Sequence, residues 1–95
     1  MAWFIVESAA LDMQHIAEAG MLNFGDNHAR QYTSKLIDMF ERLADMPYLA
    51  AERQAASLVV RIMPCGAHNI LYVVENEDVV VLRILHGLQN WFDLL

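Results

Sequence analysis

The alternation of apolar and polar positions divides the chain into a short strand, two helices and a run of strands. Ala2–Glu7 is a compact apolar stretch with aromatic and β-branched residues, the signature of a strand. Ser8 stands where a helix N-cap would, and Ala9, Met13, Ile16, Ala17, Gly20 and Phe24 then recur on one helical stripe. The segment Asn23–Asn27 breaks that stripe, with Gly25 as a C-cap and Asp26 as the next N-cap. A second helix is the clearest element: Ala29, Tyr32, Leu36, Met39, Phe40 and Leu43 repeat at 3.6-residue spacing, and Pro47 ends it. So short a break predicts an antiparallel hairpin over residues 8–46.

Residues 48–56 read as a connector. Leu58–Met63, His68–Glu75 and Val79–Leu85 then read as strands, separated by turns at Pro64–Ala67 and Asn76–Asp78. Two short turns between three strands predict an antiparallel meander. Its last two strands are apolar on both sides, so both faces of the sheet should be covered. The helical hairpin can cover one. The tail, Leu88–Leu95, can cover the other or contact a partner, with Trp91, Phe92 and Leu95 as the contact residues.

Ninety-five residues form a single domain over 1–95. Apolar residues make up 57% of them, more than a core of this size hides, which predicts a partner-binding face or a homo-oligomer. Six basic residues against twelve acidic ones give a net charge of −6, which argues against direct DNA binding by the chain alone. The opening segment has no basic flank and no run is long enough to span a membrane, so a cytoplasmic protein is expected. Cys65 is the only cysteine, so no internal disulfide forms, and it stands in a turn.

No Gly-rich phosphate loop and no hydrolase or zinc-protease motif occurs, and no cofactor is expected. His15, His28, His68 and His86 are scattered without metal-ligand spacing, which predicts structural or surface roles and no metal. Arg61 and Arg83 are more informative, because each interrupts a hydrophobic strand where a charge must be paired or face water. Alternation groups Arg61 with Val59 and Met63, and Arg83 with Val79, Val81 and Leu85, so the two can approach one face. Either they are bridged to Glu52, Glu75 or the tail, or they form a small cationic spot with His86 alongside.

Several phrases in order resemble the RelE/ParE superfamily of toxin–antitoxin toxins, most closely its ParE (plasmid stabilisation) branch. Asp12–Ile16 with Phe24-Gly25, Ala29 and Tyr32 resembles the family's helical hairpin. Leu43–Pro47 resembles its helix end. Val60–Tyr72 followed by Val81–Gly87 resembles its strand core. The resemblance implies an α+β toxin in which an N-terminal strand and an antiparallel helical hairpin pack on a four-stranded antiparallel sheet. It also implies neutralisation by a cognate antitoxin. ParE-type members poison DNA gyrase by protein–protein contact, with Arg61, Arg83 and His86 as the target-binding residues here. RelE-type members cut messenger RNA on the ribosome, a role that would fall to Glu52, Arg61, Arg83 and His86. A non-toxic relative acting as a binding module is the third expectation.

Overall fold

A computed structural model describes residues 2–55 and 58–87. The elements are β1 (Trp3–Ile5), α1 (Glu7–Phe24), α2 (Asp26–Asp45), β2 (Glu52–Ala55), β3 (Leu58–Cys65), β4 (His68–Glu75) and β5 (Asp78–His86). One sheet holds all five strands in the order β1-β5-β4-β3-β2. The α+β class, the N-terminal strand, the hairpin and the antiparallel meander are as expected.

Two details differ. The sheet has five strands rather than four, because Glu52–Ala55, expected as connector, pairs antiparallel with β3. These polar residues carry little strand signal of their own. They pair because the outer edge of β3 otherwise leaves its N–H and C=O groups open. The first strand also runs parallel to β5, with Trp3 opposite Val79 and Ile5 opposite Val81. The hairpin returns the chain at the far edge as β2, opposite in direction to β1, and the three antiparallel pairings from β2 to β5 then bring β5 round parallel to β1.

Gly25 alone separates the helices. Its φ of 89° suits only glycine, and its N–H closes α1 onto the Met21 carbonyl while its own carbonyl accepts from Ala29. Neither helix has a side-chain N-cap: α1 starts at Glu7 with Val6 at the cap, so Ser8 and Asp26 lie inside helices rather than ahead of them. Gly20 lets the hairpin close, since a Cβ there would stand 3.2 Å from the Ala29 Cβ.

The core lies between the hairpin and one face of the sheet. Ala9, Leu36, Phe40 and Leu43 from the helices meet Ile70, Tyr72, Val79, Val81 and Ile84, with Trp3 tilted against Phe40 at 5.1 Å. On the other face Val60, Leu71 and Leu85 are also buried. Trp91, Phe92, Leu95 and the rest of the expected tail cover lie outside the described residues.

Candidate functional site

The two strand arginines are held in different places. Arg61, opposite Tyr72 in the ladder, donates to the Ala50 carbonyl at 2.6 Å and to Glu52 Oε1 at 2.9 Å, and its guanidinium lies 5.0 Å from the Tyr48 ring centre. The buried Tyr72 hydroxyl works beside it, donating to the Pro47 carbonyl at 2.9 Å and accepting from the Ala50 N–H at 3.3 Å. Burial raises the pKa of this phenol, so it remains a donor across the physiological range. Together the two side chains fix the turn that carries the chain from α2 into β2.

Arg83 answers to a different carboxylate. Past Val81, β1 no longer covers the edge of β5, and Asp12 of α1 takes its place. The Asp12 carboxylate accepts from the Ile84 N–H at 2.9 Å and from Arg83 Nε and Nη2 at 2.7 and 3.0 Å. This two-point fork is the geometry that suits a guanidinium and a carboxylate best. Bonding to Asp12 raises the arginine's pKa.

A β-bulge between Leu71 and Tyr72 of the β4–β5 ladder sets this geometry. Near the turn Val74 faces Val79 and Tyr72 faces Val81. Beyond the bulge the register has slipped by one, so that Leu71 faces Arg83 and Ile70 faces Ile84. Ile84 therefore enters the core, and Arg83 leaves the row of Val79 and Val81 in which simple alternation puts it. The two arginines do not form one cationic spot. Of the four residues expected for RNA cleavage, Glu52 and Arg61 lie together, while Arg83 stands with Asp12, and His86 lies opposite His68.

The slipped register also builds a histidine cluster. An unbroken ladder would set His68 against Leu85; the bulge sets it against His86, with ring centres 5.5 Å apart. The Tyr32 hydroxyl of α2 sits 2.5 Å from His68 Nδ1 and accepts from the Ala67 N–H at 3.0 Å. Gly66, with φ 61°, makes room for that phenol: a Cβ would lie 2.8 Å from its ring. Burial, then the neighbouring His86, lowers the pKa of His68, against a smaller opposing pull from Asp12. Burial raises the pKa of Tyr32. It also raises that of the free Cys65 thiol, which argues against a reactive thiolate.

All four histidines, scattered in sequence, line one cavity of about 580 Å³ between the α1–α2 junction and the β3–β4 turn. His15 and Asp12 share a face of α1 one turn apart, the only sequence cue to this grouping. His68 and His86 could be matched only with the bulge in hand. Among the described residues, no group of three or more His, Cys, Asp or Glu side chains is arranged to hold a metal ion.

Large apolar side chains are exposed at several places, and the two most exposed stand at the C-terminal end of α1. Leu22 is 87% exposed, Phe24 68% and Met21 53%. Among the described residues no helix is long and apolar enough to cross a membrane.

This fold, a helical hairpin on a mostly antiparallel sheet, is that of a solved structure described as the chromosomal ParDE TA system from P. aeruginosa. The likeness has a TM-score of 0.78 and covers 90% of this chain and 95% of that one, at 18% sequence identity. In sequence, the chain is 32% identical over 68 residues to Toxin ParE3 of Caulobacter vibrioides, covering 72% of this chain and 68% of the relative. The family described as "ParE toxin of type II toxin-antitoxin system, parDE" matches residues 5–91. The chain belongs to the ParE toxin family.

Proposed function

We propose that the chain is held silent by a ParD-type antitoxin and, when released, acts by protein–protein contact on DNA gyrase. The observation that carries contact over RNA cleavage is the pairing of both strand arginines with carboxylates, Arg61 with Glu52 and Arg83 with Asp12. RNA binding rests on cations presented to phosphates, and a chain of net charge −6 whose sheet arginines are engaged by acids is a poor phosphate surface. The same arginines order a surface for a protein target, where a few fixed hydrogen-bonding groups suffice for orientation. In this reading Arg61, Arg83 and His86 take part in target contact. Trp91, Phe92 and Leu95, with the exposed end of α1, take part in partner contact.

The test is a supercoiling assay with purified gyrase. The protein should inhibit supercoiling and trap cleaved DNA, and added antitoxin should reverse both effects. Unimpaired supercoiling at excess toxin would contradict the reading.

A further inference from the structure

Two cavities adjoin where the hairpin meets the end of the sheet, and they differ in chemistry. The larger, about 580 Å³, is walled by Ile16, Gly20, Phe24, Ala29 and Tyr32, with His28 at its side against Phe24. The smaller, about 270 Å³, is bordered by Arg83 and Asp12. His15, Ile16, His68 and His86 line both, so one continuous cleft has an apolar, ring-lined chamber leading to a polar end.

We propose that this cleft binds a small flat aromatic anion, with its ring in the chamber and its anionic group among His15, His68 and His86. The volume is that of a small-molecule site, and apolar walls with a few convergent polar groups are what such sites use. Rings in the lining favour a flat body: Phe24 and Tyr32 from the hairpin, and the imidazoles of His68 and His86 nearly at right angles to each other. The sign of the ligand's charge follows from the polar end. Asp12 is the carboxylate there, and it is already neutralised by Arg83. The remaining titratable groups facing the cleft are His15 from α1, His28 and Tyr32 from α2, His68 from β4 and His86 from β5. An anion beside an imidazole favours the charged form of the ring over the neutral one. The pKa of His68 is lowered first by burial and then by His86. Binding should therefore take up protons and tighten as pH falls through the imidazole range.

This inference shares His86 and the end of α1 with the proposed contacts, but its test reads ligand binding in the cleft and not gyrase inhibition. Its test is an NMR titration of the histidine ring C–H signals with 1-naphthoate, using 1-naphthalenemethanol as the uncharged analogue. Saturable shifts at His15, His68 and His86 are expected, with affinity about tenfold tighter near pH 6 than near pH 8. The uncharged analogue should bind more weakly and with no pH dependence. His15 and His86 are exposed, so a His15→Ala/His86→Ala protein should fold and lose the pH dependence. Ala19→Trp, at an exposed helix position on the chamber wall, should abolish binding. The proposal fails if the histidine signals do not saturate, if affinity is the same at both pH values, or if Ala19→Trp binds as the unaltered protein does.

Discussion

Asp12 holds together three things: an open strand edge, a strand arginine and the first helix. Its side chain is 12% exposed and that of Arg83 26%, while in the other pair Arg61 is 16% exposed but its carboxylate partner Glu52 62%. Removing one member of a desolvated pair strands the other, whereas water can serve the exposed Glu52. Arg83→Ala should therefore cost about 2–3 kcal/mol in urea unfolding and Arg61→Ala about 1 kcal/mol. The reverse ranking would contradict the assignment. His68 gives a pH signature. Its folded pKa is lowered below the free value of 6.5, so the unfolded chain binds more protons between the two values. Stability is then whole above the free pKa and is lost as pH falls through it. The melting temperature should drop on acidification below about pH 6.5, and His68→Gln should flatten that drop. The individual charges were legible in the sequence, since Arg61 and Arg83 stand out within apolar strands. Their partners were legible for Arg61, where Glu52 was among the candidates, and not for Arg83, because Asp12 lies 71 residues away.

Among the elements, α2 could be read outright, because its apolar stripe and its buried residues Ala29, Leu36, Phe40 and Leu43 coincide. Phe40→Ala should cost about 3–5 kcal/mol in chemical denaturation, as it removes a ring from the centre of the core. Helix α1 was harder to bound, since apolar residues surround it and only Ala9 is fully buried. The β4–β5 turn holds a local conflict: Asn76 and Glu77 both take positive φ, 52° and 68°. Asn tolerates this region, but Glu stands where glycine serves best in such a two-residue turn. Glu77→Gly should raise stability by about 0.5–1 kcal/mol, measured as a higher melting temperature, despite losing the exposed bond from Tyr48. The turn itself was plain in the sequence. The bulge beyond it was not, because an unbroken aliphatic run from Val79 to Val81 and Leu82 gives no sign of where the register slips. That slip decides where Arg83 and His86 lie, so much of the candidate site was hidden with it. Strand β2 was hidden for another reason: it is made by the edge of β3 rather than by its own composition.

At the scale of the whole molecule, the apolar surplus of the sequence reappears as exposed side chains, the most exposed of them Leu22 and Phe24 at the end of α1. A surface of this kind suits an amphipathic partner segment and favours self-association without one. Light scattering should show the lone chain associating, and Leu22→Lys, at a position 87% exposed, should reduce association without lowering the melting temperature. A soluble monomer at high concentration would contradict this. The low basic content and the paired arginines set the direction of the functional reading, from phosphate binding toward protein contact. Controlled induction in cells, with DNA damage and messenger integrity followed in parallel, tests that reading most directly. A gyrase-dependent damage response with intact messengers, silenced by co-expressed antitoxin, is the predicted result. Rapid codon-specific messenger cleavage without gyrase-dependent damage, or no effect on growth at all, would contradict it.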